Sequence, residues 1–354
     1  MGALNWNPDI TQHNQVVWAK NNPKKENATT GGPVRINVVT INELLEHVFP
    51  IREAVLGPVF VLASINMIFS GRGIGKTHMG LGIAYAAASG AHFWNWTATR
   101  PIKTLYIDGE MPGEALQARL AAIVDGAEAE PLPEHLKIIT IDLNDGQMPD
   151  LSNLGGQQEI EGACSEAELI IVDNLSCLAR SGRENESESW VSLSQWALRM
   201  RSHGKCVIFL HHAGKNGTQR GTSKREDLLD VVIELKHPPG YDTKDGARFT
   251  VNFSKARHLT GGDAQPFEVW LKQGANRKQF WEITPAVESD YLQTIEMTLL
   301  GLNQTEIAQE LGINKSTVCR HIQAAIEKGH LTEIQKVKVK PGKNSYSRRA
   351  DVDD

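Results

Sequence analysis

The sequence predicts an α/β protein in which antiparallel hairpins extend a mostly parallel sheet and a small helical domain follows. From about residue 34 to 285, short and nearly continuous apolar runs alternate with helical patterns, which is typical of parallel strands buried on both faces. Within 231–283, strand-like runs are joined by turn-rich loops, which indicates antiparallel hairpins at one edge of the sheet. After Pro285 the pattern becomes helical.

The buried strands are predicted from runs rich in Ile, Leu and Val, and the helices from apolar residues that recur every three or four positions. Leu193, Trp196, Ala197 and Met200 are one such set, which we place in the core. The predicted strands are 65–70, 104–109, 136–140, 168–173 and 206–212, and the predicted helices between them include 76–89, 113–125 and 189–203.

Length and composition predict about two domains in the chain of 354 residues. With 40% hydrophobic and 22% charged residues, a disordered acidic chain, a rod and a disulfide scaffold are excluded. Residues 19–33 are polar and rich in Asn, Lys, Gly and Pro, as in a flexible linker. We predict an N-terminal arm and linker over 1–33, an α/β domain over 34–285 and a helical domain over 286–350.

No targeting or membrane segment is predicted. The N-terminal residues lack the charged and apolar regions of a signal peptide. The most apolar stretch, 54–69, is interrupted by Gly, Pro and polar residues and is too short to span a bilayer. The four cysteines show no CxxC spacing. We therefore expect a cytoplasmic protein that does not bind membranes.

A phosphate-binding loop is predicted at 70–77, SGRGIGKT, which fits the P-loop pattern except that Ser70 replaces the first glycine. The glycines let backbone N–H groups wrap a phosphate, and the next helix points its positive end at the same group. Lys76 is expected to reach the β and γ oxygens and Thr77 to bind Mg²⁺, so ATP and Mg²⁺ are the predicted cofactors. The predicted nucleotide-binding residues are Ser70, Gly71, Arg72, Gly73, Ile74, Gly75, Lys76, Thr77 and His78.

Two apolar runs end in acidic residues that suit the hydrolysis of ATP. Asp173 ends LIIVD and is predicted to hold Mg²⁺, although an aspartate there is also a common helix cap. The next residue is Asn174, so the catalytic base must come from elsewhere. Glu110 follows the run 104–109, which we expect to neighbour the P-loop strand, and it is predicted to activate the attacking water. Asp108 is the competing carboxylate.

The run CVIFL leads into two histidines and a basic loop. We predict that His211, which is nearest the strand, senses the γ-phosphate; a packed structural histidine is the alternative. The following loop, 213–225, either faces a nucleic acid strand or is simply solvated. Its predicted DNA contacts are Lys215, Arg220, Lys224 and Arg225.

Together, the segments SGRGIGKT, LYIDGEMP, LIIVDN and FLHHAGKNGTQRGTS resemble the RecA-like hexameric ATPases of the RepA-type replicative helicases, in the wider KaiC/DnaB group. The resemblance covers about 36–285 and implies a RecA-like P-loop core. It also implies that Glu110 is the catalytic glutamate and that subunits form a ring, with ATP between neighbours and single-stranded DNA in the channel. In FSKARH, Lys255 and Arg257 would act on the neighbour's phosphates; without the resemblance, they are typical of a solvated strand face.

Residues 303–329 resemble a helix-turn-helix, with Gly312 in the turn, Asn314 or Ser316 capping the second helix, and HLTEIQKVKVK as a wing. Hydrogen-bonding side chains at its outward positions suit phosphates and base edges. The predicted duplex DNA contacts are Lys315, Ser316, Thr317, Arg320 and His321. A helical module for protein contacts is the alternative.

Charge is distributed unevenly along the chain. Residues 312–350 carry nine Lys and Arg against two acidic residues, whereas residues 1–311 carry 28 against 37. The formal net charge of −5 is therefore the sum of contributions from a basic and an acidic region that largely cancel. The leading hypothesis is a ring-forming helicase-type ATPase with a DNA-binding winged helix, acting in replication of a plasmid, phage or other mobile element. An ATP-switched DNA-binding regulator and a slow ATP-binding clamp or loader are the rivals.

Overall fold

The computed structural model describes residues 36–49, 51–179, 186–213, 227–238, 240–274 and 278–332. The chain divides into two compact units, Met1–Glu53 and Ala54–Asp354. In the first unit, the described residues form one short helix, α1 (Ile41–Glu46). The side chains of Thr40 and Glu43 each accept a hydrogen bond from the other residue's backbone N–H, which fixes the start of this helix.

The second unit alternates strands and helices, as the apolar runs predict. The predicted strand and helix bounds agree with the observed ones to within three residues. Its strands are β1 (Ala54–Leu56), β2 (Phe60–Val61), β3 (Ser64–Ser70), β4 (His92–Phe93), β5 (Trp96–Thr97), β6 (Thr104–Asp108), β7 (Leu136–Thr140), β8 (Leu169–Asp173), β9 (Cys206–His212), β10 (Val231–Lys236), β11 (Arg248–Ala256), β12 (Phe267–Gln273) and β13 (Gln279–Pro285). Its α-helices are α2 (Lys76–Ser89), α3 (Gly113–Gly126), α4 (Leu154–Glu159), α5 (Glu161–Glu166), α6 (Leu175–Leu178), α7 (Glu186–Ser202), α8 (Ala286–Leu299), α9 (Gln304–Leu311) and α10 (Lys315–Glu327).

Nine of the described strands form one sheet in the order β13-β12-β11-β10-β3-β9-β8-β6-β7. From β10 to β7 all neighbours are parallel, and β11 to β13 extend the sheet antiparallel, so the predicted fold class is confirmed. One expectation is wrong: β6, which leads to Glu110, does not neighbour the P-loop strand β3. Both β9 and β8 lie between them, because α2 crosses over these two positions before the chain re-enters the sheet.

The helices cover both faces of the parallel strands. Alternate strand residues feed two apolar cores, one shared with α2 and α3 and the other with α5, α6 and α7. In the first core, Tyr106 and Leu210 lie beneath the P-loop helix; in the second, Trp196 packs against Phe209. The alternation of residues between the two faces of each strand decides which side chains at the strand ends face the P-loop.

Helices α8, α9 and α10 have a small core of their own. Ile307, Val318 and Ile322 are buried together there. As predicted, Gly312 makes the turn between α9 and α10, and its φ of 65° is a left-handed value that suits glycine. Asn314 is the N-cap residue of α10, but its side chain makes no capping hydrogen bond. Among the described residues, no helix combines the length and the apolar character needed to cross a bilayer.

Candidate functional site

The loop between β3 and α2 has the backbone conformation that a glycine-rich phosphate loop needs. Gly73 and Gly75 have φ values of 76° and 133°. Glycine is required at position 75 for two reasons: its φ lies in the region that other residues rarely adopt, and a Cβ atom there would lie 2.5 Å from Cε1 of Phe249. Ile74 is buried in the core, whereas Arg72 is exposed. These contacts position the loop at the N-terminus of α2.

Lys76 is held over this loop by three acceptors. Its Nζ donates to Ser70 Oγ at 2.9 Å, to the carbonyl of Ser70 at 3.2 Å and to the carbonyl of Gly71 at 2.9 Å. Ser70, the departure from the P-loop pattern, thus adds a side-chain acceptor that glycine would lack. The side chain of Lys76 is 6% exposed. Burial lowers the pKa of its ammonium group to about 8, and Arg72 adds to this shift, against the carboxylates of Asp173 and Glu110.

Thr77 and Asp173, the two predicted Mg²⁺ ligands, are brought together. Thr77 donates a side-chain hydrogen bond to Asp173, and Tyr106 donates its hydroxyl to Asp173 Oδ2 at 2.7 Å. Asp173 ends β8 on the face that α2 covers, so the first turn of the P-loop helix meets it. Burial raises the pKa of Asp173, because a carboxylate beneath this helix loses contact with water and its charged form is disfavoured. Asp173 does not cap a helix, because the side chain of Asn174 accepts the capping hydrogen bond at the start of α6.

Asp108 is a second carboxylate at the same edge. It lies directly opposite Asp173 in the pairing of β6 with β8, and it is 0% exposed. Burial first, and then the negative charge of Asp173, raise the pKa of Asp108 to about 6, although Met111 donates a backbone hydrogen bond to it at 3.2 Å. Asp108 is therefore held inside the sheet edge, whereas Glu110 extends beyond it.

Glu110 is fixed by two side chains from neighbouring strand ends. The amide of Asn174 donates to Glu110 Oε2, and His212 Nε2 lies 3.4 Å from the same oxygen. The Asn174 amide also lies 3.2 Å from His212 Nε2. Burial and the positive charge of Lys76 lower the pKa of His212, which favours a neutral ring at pH 7. The carboxylate of Glu110 is about half exposed, so it is open to a water molecule.

His212, rather than the predicted His211, is the histidine that reaches this cluster. In the pairing of β3 with β9, His212 lies opposite Ser70 and His211 opposite Phe69. His211 is buried on the opposite face of the sheet, the one that α7 covers. The sequence analysis does not predict the contact of Asn174 with Glu110. The period-two alternation along CVIFLHH, counted from the face that the P-loop helix covers, could have identified His212.

Lys255 and Arg257 lie away from the phosphate loop of their own chain. Lys255 pairs with Val232, which pairs with Met67, three residues or about 10 Å before Ser70 along the strand direction. Arg257 is just beyond the end of β11, and its guanidinium donates to the carbonyl of Asp227. Two strand spacings, roughly 10 Å, separate β11 from β3 as well. Neither cation can therefore contact a phosphate bound at the loop of the same subunit.

Of the predicted duplex contacts, Lys315, Ser316 and Arg320 are exposed on α10. Thr317 is partly exposed and accepts a hydrogen bond from Arg320 at 3.1 Å. The expectation that His321 faces outward is wrong. Its Nδ1 lies 3.3 Å from Thr294 Oγ1, in the packing between α8 and α10.

Burial and the nearby Arg320 lower the pKa of His321, so it is neutral at pH 7. The predicted contacts Lys215, Arg220, Lys224 and Arg225 lie outside the described residues, as does the wing beyond Thr332.

The oxygen ligands at the sheet edge suit Mg²⁺, which takes a hydroxyl and one or two carboxylates together with substrate phosphates. Thr77 and Asp173 supply such a pair. Within the described residues, no group of three or more His, Cys, Asp and Glu side chains is arranged to hold a metal ion by itself. His78, next to Thr77, has a pKa lowered to about 4 by burial and by Arg119, so it is a neutral ring.

Three solved structures are similar to this chain at low identity. The flagellar accessory protein FlaH from Methanocaldococcus jannaschii is 12% identical, with 65% of this chain and 94% of that chain covered and a TM-score of 0.42. The RadB recombinase is 13% identical, with 62% of this chain and 91% of that chain covered and a TM-score of 0.44. A KaiC-like protein from Pyrococcus horikoshii OT3 is 15% identical, with 64% of this chain and 91% of that chain covered and a TM-score of 0.41. None of the curated proteins compared matches the chain.

A family model described as an AAA domain matches residues 32–218. That match covers more than half of the chain and includes the phosphate loop, both carboxylate strands and the two histidines. The chain belongs to this AAA domain family of P-loop ATPases.

Proposed function

We propose that the protein is a ring-forming, Mg²⁺-dependent ATPase that couples ATP hydrolysis to DNA unwinding, in the manner of the RepA-type replicative helicases, in replication of a mobile element. One observation carries the proposal: Lys76, Thr77, Asp173 and Glu110 converge at the edge formed by the carboxyl ends of the parallel strands. A ligand held by the loop there meets a cation, two oxygen ligands for a metal ion and an exposed carboxylate.

Each of these residues has a role that its contacts support. The loop N–H groups and Lys76 would bind the β and γ phosphates, and Thr77 and Asp173 would hold Mg²⁺, which would neutralise phosphate charge. Glu110, oriented by Asn174 and His212, takes a proton from the attacking water. The oxygen of that water bonds to the γ phosphorus while the bond from this phosphorus to ADP breaks and ADP leaves.

Replacing Glu110 with Gln tests the chemistry. The amide keeps the size of the side chain but cannot accept the proton, so kcat should fall by about 10²–10⁴ while ADP affinity stays within a factor of about two. Glu114→Gln, at an exposed position in the first turn of α3, is the matched control. An unchanged kcat in Glu110→Gln would reject the assignment and favour a slow clamp or loader.

The ring is proposed because the site of one chain has no access to its own Lys255 and Arg257. A second copy could bring these cations to the phosphates, where they would stabilise the charge of the transition state. Mixtures of Lys76→Ala and Arg257→Ala subunits should then regain part of the ATPase activity, because a mixed interface combines an intact loop with an intact arginine. Absence of rescue at every ratio contradicts action between subunits.

An ATP-switched DNA-binding regulator is the second candidate. The exposed Lys315, Ser316 and Arg320 on a helix that follows a tight turn favour a role in duplex binding. Strand displacement on a forked duplex separates the two functions. ATPase activity and site-specific duplex binding without unwinding would favour the regulator.

A further inference from the structure

Asp108 and Asp173 are carboxylates at the same register position of two neighbouring strands, yet their surroundings differ. They lie directly opposite each other in the pairing of β6 with β8, and they are 0% and 3% exposed. Residues paired in this way point to the same face of a sheet, which here is the face that α2 covers. A metal ion at the start of α2 could therefore meet either side chain, and the hydrogen bonds of the two carboxylates distinguish them.

Asp173 accepts hydrogen bonds from two hydroxyl groups. Tyr106 Oη donates to Asp173 Oδ2 at 2.7 Å, and Thr77 donates a side-chain hydrogen bond to the same carboxylate. The carboxylate of Asp108 instead accepts from the backbone N–H of Met111, with N–O distances of 3.2 Å and 3.4 Å to its two oxygens. A phenol has a single hydrogen to donate, so Tyr106 can fix one of the two carboxylates, and it fixes Asp173.

Tyr106 reaches Asp173 diagonally across the strand pair. It lies opposite Ile171, two residues before Asp173, and diagonal neighbours of this kind are within reach of an aromatic side chain. The side chain of Tyr106 is 0% exposed, in the core that the strands share with α2. Asp173 cannot rotate its carboxylate without breaking the bond to the phenol, so Tyr106 fixes the orientation of this carboxylate.

The P-loop helix leaves room for the hydroxyl of Tyr106. Gly80 lies inside α2, about one turn after Thr77, at a position where glycine destabilises a helix relative to alanine. A Cβ atom there would lie 3.2 Å from Tyr106 Oη and 2.7 Å from Leu210 Cδ1. Glycine therefore lets the helix approach the phenol closely, so that Thr77 and Tyr106 both reach the carboxylate of Asp173.

We propose that Tyr106 is a positioning residue of the metal site, and that its hydroxyl selects Asp173 rather than the adjacent Asp108 as the carboxylate that binds Mg²⁺ with the nucleotide. This inference rests on the proposed binding of ATP and Mg²⁺ by the loop. Hydrogen-bond partners of metal ligands fix the orientation of these ligands, and their loss typically lowers metal affinity by about 10–100-fold.

Tyr106→Phe tests the proposal, because it removes the hydroxyl and keeps the ring. Mn²⁺ is the probe, since EPR spectroscopy distinguishes its free from its bound form, and the full chain is kept in excess over ADP. The Kd of Mn²⁺ for the ADP complex should rise by about tenfold, whereas the Kd of ADP in EDTA should change by less than about twofold. A structural role alone would not separate these two constants.

Tyr85→Phe is the matched control. It removes another buried phenol hydroxyl, on α2, that has no hydrogen-bond partner in the described part of the chain. Neither the Kd of Mn²⁺ nor the Kd of ADP in EDTA should change in this variant.

A double-mutant cycle tests whether the effect of Tyr106 passes through Asp173. In an Asp173→Ala background, Tyr106→Phe should not change the Kd of Mn²⁺ further, because the carboxylate that the phenol orients is absent. Gly80→Ala crowds the hydroxyl from the helix side and keeps every hydrogen-bonding group. It should therefore also raise the Kd of Mn²⁺, even if Tyr106→Phe fails to fold.

Failure of this inference can be distinguished from failure of the proposed function. A wild-type chain that binds neither ADP nor Mn²⁺ would reject the proposed nucleotide and metal site, and the role of Tyr106 with it. If the wild type binds both, three results overturn the role of Tyr106 alone. They are an unchanged Kd of Mn²⁺ in Tyr106→Phe (or in Gly80→Ala, should Tyr106→Phe not fold), an equal loss of ADP affinity in EDTA, and the same loss of Mn²⁺ affinity in the Asp173→Ala background.

Discussion

Raising the pH from 7 to 9 should weaken ADP binding, because Lys76 loses its charge over this interval. Its pKa is lowered to about 8, mainly by burial beneath the loop. A neutral amine cannot pair with phosphate, so affinity follows the protonated fraction of Lys76. That fraction falls from about nine-tenths at pH 7 to about one-tenth at pH 9, which corresponds to a roughly tenfold higher Kd at pH 9.

The same shift predicts proton uptake on binding. Bound phosphates hold Lys76 in its charged form, so each ADP should bring in about 0.1, 0.5 and 0.9 protons at pH 7, 8 and 9. Calorimetric titration with ADP in buffers of different ionisation enthalpy measures this number directly. Lys76→Arg is the control, because a guanidinium stays charged throughout and should take up no protons. Uptake near zero at pH 9 in the wild type, or equal uptake in Lys76→Arg, would refute the reasoning.

Three other changes give distinct outcomes. Asp108→Asn should raise the unfolding free energy at pH 7 by up to about 3 kcal/mol, since the raised pKa of about 6 means that the folded state holds this charge at a cost. In urea titrations, the gain should shrink as the pH falls from 6 to 4, and a gain that does not depend on pH contradicts the cause. Gly75→Ala should lower Tm and abolish ADP binding, because of the φ of 133° and the contact with Phe249. Adding Phe249→Leu should recover only part of the Tm, whereas full recovery would exclude a backbone contribution. Arg320→Ala should weaken duplex DNA binding in anisotropy titrations and reduce the salt slope by about 0.9, with ATPase activity unchanged; an unchanged slope would separate Arg320 from the phosphates.

The strands and the phosphate loop could be predicted because their signals are local. Apolar runs such as 206–212 give the strand bounds to within a residue or so, since strands buried on both faces consist mainly of apolar side chains. Glycines between such a strand and a helix then predict the loop. The polar residues at the ends of β8 and β6 lie at the same edge of the sheet because these two strands are parallel. The sequence alone therefore predicts that Asp173 and Glu110 lie at this edge, and the structure places both there.

The order of the strands could not be predicted from local signals, and the facing of the histidines follows from the alternation along β9 only once the face that α2 covers is known. Whether β6 lies beside β3 depends on how far the crossover through α2 reaches, and no residue within either strand specifies that distance. His211 was preferred as the residue nearest the strand, but β9 continues to His212, and the pleat turns the two rings to opposite faces. Similarly, His321 fits the outward pattern of α10, yet its ring fills a space beside Thr294 that only the packing of α8 creates.

In the proposed ring, the positions of the cations would make the site of a single chain incomplete. In the described part of the chain, Lys76 and Arg72 are the cations of the phosphate loop itself, and Lys76 Nζ donates to Ser70 Oγ at 2.9 Å. Arg257 instead donates to the carbonyl of Asp227, a neutral acceptor. Exchanging that carbonyl for a phosphate of a neighbouring subunit in the proposed ring would replace a neutral acceptor with a charged one, which arginine can bind in a bidentate manner. If the proposed ring forms, we therefore expect ATP to favour its assembly and hydrolysis to depend on the interface between subunits.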